Sequence, residues 1–104
     1  MPANEEKFLP VVYILEIYEN TFRNDPSCRA LLAGPLQAIQ IGDYLADEGL
    51  DPQPDVPAGQ ILKVVGLRHI ISTIRSDRVT HSLSVCVKAV LKPAEIFGAG
   101  SRRL

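Results

Sequence analysis

The stretch VTHSLSVCVKAVLK, residues 79–92, alternates apolar and polar side chains over most of its length. One alternating set is apolar apart from a histidine: Val79, His81, Leu83, Val85, Val87, Ala89 and Leu91. The other set is small or polar: Thr80, Ser82, Ser84, Cys86 and Lys88. A period of two residues with one apolar face is typical of a half-buried antiparallel strand, and this is the most regular pattern in the chain.

The segment Ile61–Ile74 is predicted to pair with this strand, and the turn between them is Arg75–Arg78. A loop of two residues and a loop of four residues both place Ile74 opposite Val79. In either case Ile70 lies opposite Leu83 on the apolar face. A bulge is predicted at Gly66, because the apolar positions before it are out of step with those after it.

This register determines where the two histidines are expected. His81 lies on the apolar face opposite Ser72, and His69 lies on the polar face opposite Ser84. The two imidazoles then point to opposite sides of the hairpin. They can neither share a metal ion nor form an acid–base pair unless a bulge between Gly66 and His69 flips one of them. Cys86 becomes a diagonal neighbour of His69, at roughly 7–8 Å. This distance permits a Cys–His nucleophile pair, but no sequence signature of an activated cysteine accompanies it.

The first half of the chain predicts shorter elements. Phe8–Glu19 is rich in β-branched and aromatic residues and predicts a strand that is apolar on both faces. Asp25-Pro26 is a favourable helix start, so Ser27–Ala33 predicts two helical turns that end at Gly34. Leu36–Leu45 predicts a strand that is bent or bulged at Gly42-Asp43.

The remaining segments predict irregular structure. Asp47–Gly59 contains three prolines and several acidic residues and predicts an exposed loop. Residues 94–97 predict a single turn, and about 98–104 a frayed tail. The whole chain, residues 1–104, is therefore expected to be one mainly β domain, with α+β at the margin. We expect a small antiparallel barrel or strongly curved sheet of four or five strands, with a long C-terminal hairpin and one or two short helices.

Charge is unevenly distributed although the net charge of the 104 residues is −1. Residues 1–59 contain ten acidic and three basic residues, a net −7, and residues 60–104 contain eight basic and two acidic residues, a net +6. Such halves can neutralise each other within one molecule or between copies of it. The polar start of the chain and the absence of a long apolar run predict a cytoplasmic protein that does not associate with membranes.

Recognised catalytic and cofactor motifs are absent from the sequence. There is no CxxC pair, no phosphate-binding glycine motif and no nucleophile or zinc-protease string, so neither a cofactor nor a metal site is predicted. The two cysteines, Cys28 and Cys86, are expected to be unpaired and packed as small apolar side chains, although a disulfide is possible in principle.

Three classes of function remain open. The first is a non-catalytic binding or assembly module, expected to be a homo-oligomer, with a small ligand or protein partner held by the hairpin and the loop 46–59. The second is a nucleic-acid-binding protein that uses the basic hairpin, which is less favoured because no aromatic residue lies within 60–92 to stack on bases. The third is a small enzyme with a site around His69, Cys86 or Asp43. The predicted binding residues are Asp43, Tyr44, Arg68, His69, Arg75 and Arg78.

Overall fold

Five strands form a single mixed sheet that curls into a half-barrel. The computed structural model describes residues 8–36 and 38–93. The strands are β1 (Val11–Glu19), β2 (Cys28–Leu32), β3 (Tyr44–Leu45), β4 (Gln60–Ser72) and β5 (Val79–Leu91), in the sheet order β2-β1-β5-β4-β3. The predicted mainly β, strongly curved sheet is confirmed. The predictions for the turn at 94–97 and the tail at 98–104 lie outside the described residues.

The long hairpin of β4 and β5 is confirmed, and so is its bulge. The pairing shifts by one residue between Val64 and Gly66, where the sequence predicts the irregularity. The predicted register beyond the bulge is wrong by one residue, because Ile70 pairs with Ser82 rather than Leu83. The last pair is Ser72 with Thr80, which leaves an odd number of residues in the turn, whereas both predicted loops held an even number. A slip of one residue moves every β4 side chain after the bulge to the other face.

The sheet is mixed rather than wholly antiparallel, because β1 runs parallel to β5. Their register matches Val11 with Val79 and Glu19 with Val87. The chain leaves β2 at one edge of the sheet and enters β3 at the opposite edge. The hairpin then brings β5 back to the centre of the sheet in the same direction as β1.

The predicted helix at residues 27–33 is wrong, since this segment forms β2. Its ladder with β1 is antiparallel and pairs Cys28 with Ile17, next to a hydrogen bond of 2.7 Å from the Ser27 amide to the Ile17 carbonyl. A helix of two turns is marginal in isolation. The hydrogen bonds that this segment makes with the backbone of β1 therefore stabilise a strand more than the capping by Asp25-Pro26 stabilises a short helix.

The predicted strand at residues 36–45 is reduced to Tyr44–Leu45. Gly42 has a φ of 100°, a conformation that glycine adopts without strain, and its amide donates to the Val64 carbonyl at 2.8 Å. The turn at Gly42 thus replaces most of the strand. The predicted loop at residues 47–59 is confirmed, and it begins with a 3-10 turn at Asp47–Gly49, the one helical element among the described residues.

The apolar core lies on one face of the sheet, which we call the core face. Its buried members are Ile17, Cys28, Leu62, Val64, Val85 and Val87. Loop residues Ile39, Leu50 and Val56 pack against them. The segments that lack regular structure therefore cover the half-barrel at the end of the hairpin away from its turn. The other side, which carries Ser84 and Cys86, is called the outer face.

Candidate functional site

The two histidines lie together on the core face, near the distal end of the hairpin. His69 pairs with Leu83 and His81 pairs with Ile71, so the imidazoles are diagonal neighbours on the same side of the sheet. The Nδ1 atom of His69 is 2.9 Å from the Nε2 atom of His81. The prediction that the hairpin separates them is wrong, and the physical reason is the odd-length turn, which reverses the facing of His69.

A small cavity of about 60 Å³ opens beside this pair. Its other lining residues are mainly apolar: Tyr13, Ile14, Leu32, Pro35, Leu36 and Leu83. The Tyr13 ring lies 5.9 Å from the His81 ring, tilted by 57°. His69 is exposed and His81 is half-buried, so one imidazole faces solvent while the other is held by its neighbours. We call His69, His81 and this cavity the histidine site.

The predicted diagonal contact between His69 and Cys86 is wrong. Leu83 and Cys86 differ by an odd number of positions in β5, and His69 shares the face of Leu83, so the thiol lies on the opposite side of the sheet. Cys86 is only 4% exposed, and burial raises the pKa of its thiol, an effect that the charge of Lys88 partly opposes. The pair therefore lacks both the geometry and the thiolate that nucleophilic catalysis requires.

Cys28 and Cys86 are both free and buried, as expected for small apolar side chains. Cys28 pairs with Ile17 on the core face, whereas Cys86 lies on the outer face beside Gly66. The sheet itself separates the two thiols, so the alternative of a disulfide between them does not apply to this fold.

A polar row crosses four strands on the outer face, and the sequence does not predict it. The register aligns Arg68, Ser84, Glu16 and Arg29 from β4 to β2. The Glu16 carboxylate accepts hydrogen bonds from the Ser84 and Tyr18 hydroxyls, both at 3.2 Å, and lies 3.6 Å from the Arg29 guanidinium. The one available signal is Glu16 itself, an acidic residue flanked by apolar neighbours in the middle of β1.

Arg68 is held by aromatic rings rather than presented to solvent. Its guanidinium carbon lies 4.4 Å from the centre of the Phe22 ring and 5.4 Å from that of Tyr18. Its Nε atom is buried without a hydrogen-bond partner in the described part of the chain. Such stacking stabilises the cation in place, so Arg68 forms part of the outer-face packing.

The other predicted basic residues are divided between two places. Arg75 and Arg78 flank the turn, and both approach Asp77, at 3.9 Å and 2.9 Å respectively. Arg78 lowers the pKa of the Asp77 carboxyl through a hydrogen bond. Lys63 lies near the other end of the hairpin, 5.8 Å from the Tyr44 ring centre. The basic residues of the hairpin thus do not form one continuous surface.

Asp43 and Tyr44 lie beside the lower part of β4. The Asp43 carboxylate accepts a hydrogen bond of 2.8 Å from the Gln40 amide, and its carbonyl accepts another from the Val64 amide. Asp43 therefore holds a turn. Five residues of strand, about 17 Å, separate its partner Val64 from His69. Of the six predicted binding residues, only His69 belongs to the histidine site and lines its cavity.

Neither a metal-binding cluster nor a membrane-spanning helix occurs in the described residues, 8–36 and 38–93. They contain no group of three or more histidine, cysteine or acidic side chains that could hold a metal ion. Within the same ranges, no helix has the length and apolar character needed to span a membrane. Comparisons with protein-family models, with curated proteins and with solved structures found no match to this chain.

Proposed function

We propose that this protein is a non-catalytic assembly module that pairs with a second copy of itself along the free edge of β4. The observation that carries the proposal is the incomplete cover of that edge. β3 pairs with β4 only at Leu62 and Lys63, and the turn before β3 reaches Val64. Within the described chain, residues 65–72 therefore have a strand neighbour on one side only. We call residues 65–74 the distal edge.

The side chains of the distal edge support this proposal. Val65, Ile70, Ile71 and Ile74 are all exposed, and Ile71 and Ile74 reach 65% and 91%. Sheets that stay monomeric commonly protect such edges with charged residues or proline. The distal edge has β-branched apolar residues instead, and its one cation, Arg68, is turned onto Phe22. An uncovered apolar edge of this kind favours association.

A second copy fits this edge better than an unrelated partner, because of how charge is arranged along the hairpin. Arg75 and Arg78 lie in the turn at the distal end of the hairpin. Asp43 directly precedes the short strand β3 and Asp47 follows it, beside the first residues of β4. Antiparallel pairing about a two-fold axis places the basic end of each copy near the acidic end of the other. The opposite net charges of the two halves of the chain, −7 and +6, point the same way.

Sedimentation velocity tests the proposal on the full chain. The native protein is expected to sediment as a species of at least twice 11.4 kDa, and the double variant Ile71→Glu, Ile74→Glu as a monomer. Pairing would bury the two introduced carboxylates of each copy near those of the other, and their desolvation and mutual repulsion oppose it. Circular dichroism of the variant should match that of the native chain, because both side chains are exposed in the monomer.

Leu31→Glu is the matched control. Leu31 is an apolar residue of the opposite edge strand, β2, and is 70% exposed. This variant is expected to keep the native oligomeric state. A native protein that stays monomeric at millimolar concentration would contradict the proposal, and so would a Leu31→Glu variant that dissociates as fully as the double variant.

A further inference from the structure

We propose that His69 and His81 form a two-histidine binding site for a divalent transition-metal ion, with Cu²⁺ and Ni²⁺ as the preferred ions. The site lies within one chain and does not depend on the association proposed above. These are the only two histidines in the protein, so any binding that requires imidazole must involve them. Imidazole nitrogen is a ligand that suits copper, nickel and zinc.

The spacing of the two nitrogens supports this inference. Nδ1 of His69 and Nε2 of His81 are 2.9 Å apart. Two nitrogens that bind one ion at about 2.0–2.1 Å are separated by about 2.9 Å when the bonds meet at a right angle, and by about 3.4 Å at the tetrahedral angle. The observed spacing matches the right angle, which is the geometry of square-planar or tetragonal Cu²⁺ and Ni²⁺ sites. Zn²⁺ requires the rings to move apart by about 0.5 Å.

The strands hold the two ligands close together before any ion binds. The histidines are 12 residues apart in sequence but lie on adjacent, hydrogen-bonded strands, as diagonal neighbours two residues out of register. Side chains on such strands lose little further freedom when they bind a common ion, since their backbones are already ordered. The Tyr13 ring further restricts His81.

The surroundings leave room for the rest of a coordination sphere. His69 is exposed, so an ion can reach the pair from solvent. The lining of the adjoining cavity is mainly apolar, so the water ligands come from the solvent side of the exposed His69. Two imidazole nitrogens and water oxygens then complete a tetragonal coordination sphere. Such a site does not require a third protein ligand, and the described residues supply none.

A simple hydrogen bond between the imidazoles makes a different prediction. In that arrangement one nitrogen donates a proton and the other accepts it, and the pair stabilises the hairpin without binding an ion. Metal binding needs the lone pairs of both facing nitrogens, so the donor imidazole changes tautomer and carries its proton on the other nitrogen of the same ring. Saturable binding of one ion, with both imidazole nitrogens coupled to it, therefore distinguishes the two arrangements.

The test is a calorimetric titration of the native chain with Cu²⁺ and with Ni²⁺, followed by electron paramagnetic resonance of the Cu²⁺-loaded protein. We expect one ion per chain and a spectrum with hyperfine structure from two imidazole nitrogens. His69→Asn and His81→Asn should each weaken binding at least tenfold and leave one coupled nitrogen. The double variant should lose the site.

Cys86→Ala is the control, because a thiol is the other soft ligand and lies on the opposite face. It should leave the affinity and the spectrum unchanged. Absence of saturable binding by the native chain, or binding that survives in the double histidine variant, would overturn the proposal. Circular dichroism of each variant confirms that the hairpin is still folded when the titration is made.

Discussion

Glu16 is the residue on which the polar row of the outer face converges. Ser84, which donates to it, is fully buried at 0% exposure. A buried carboxylate oxygen that loses a donor keeps its desolvation penalty without the compensating bond. The row therefore stabilises the fold only while its donors remain in place.

Ser84→Ala is expected to lower the free energy of unfolding by about 1.5–3 kcal/mol, the usual contribution of a hydrogen bond to a charged group. Urea denaturation followed by circular dichroism measures this. The control is Ser82→Ala, which changes the half-buried serine two positions earlier on the same face, opposite Ile14 rather than Glu16. Equal losses in the two variants would show that Ser84 contributes packing alone.

Cys86 is expected to make the stability of the protein sensitive to alkaline pH. Burial raises the pKa of its thiol above the ordinary value of 9.0. Above pH 9 the unfolded chain loses this proton before the folded chain does, so the folded state binds more protons. The free energy of unfolding should then fall as pH rises through 9, until the folded thiol also ionises.

The measurement is the unfolding free energy of the native chain and of Cys86→Ala at several pH values between 8 and 10. The alanine variant should have the shallower decline, whatever its stability at pH 8. Parallel curves for the two proteins would show that Cys86 does not contribute to the pH dependence.

At the scale of elements, the bulge in β4 depends on a contact between a glycine and an aromatic ring. A Cβ atom placed on Gly66 would lie 3.2 Å from Cε2 of Phe22 and 3.4 Å from Cβ of Cys86. The Phe22 ring is itself held between Gly66, Arg68 and the edge of Tyr18. Glycine at this position thus lets the ring cover the backbone of the sheet.

Gly66→Ala is expected to destabilise the native chain by about 1–3 kcal/mol, the usual cost of overpacking. In a Phe22→Leu background the ring atoms nearest to the new methyl group are gone. The same substitution should there be neutral or stabilising by about 0.5–1 kcal/mol, since alanine restricts the unfolded chain more than glycine does. Urea denaturation of the four proteins gives the coupling, and an equal cost in both backgrounds would contradict this account of the bulge.

At the scale of the whole molecule, the proposed pairing predicts a concentration-dependent pattern of hydrogen exchange. Half of the amides in residues 65–72 point towards β5 and are bonded in a single copy. The amides that point away from β5 should become protected only when a second copy adds its strand. Exchange measured at micromolar and at millimolar concentration should therefore differ within 65–72.

Residues 28–32 of β2 are the internal reference for this measurement, since they form the other edge of the same sheet. Their outward amides should exchange at the same rate at both concentrations. A gain in protection confined to β2, or an exchange pattern independent of concentration, would contradict pairing through β4.

Much of the fold is predictable from the local pattern of the chain. Alternation over residues 79–91, the β-branched run of β1, the bulge at Gly66 and the proline-rich loop at 47–59 each follow from side chains close in sequence. The candidate site is less predictable. The predicted face of His81 is correct, whereas the face of His69 depends on a turn whose length the sequence does not specify.

Local side-chain patterns are enough to identify the strands whose burial alternates, and composition is enough to separate an acidic half of the chain from a basic half. Tertiary structure decided the register beyond the bulge, the parallel pairing of β1 with β5, and the formation of β2 where a helix was predicted. Each of these depends on backbone groups of distant segments that must find partners. The meeting of His69 and His81 belongs with them, because a change of one residue in register transfers a side chain from one face of a sheet to the other.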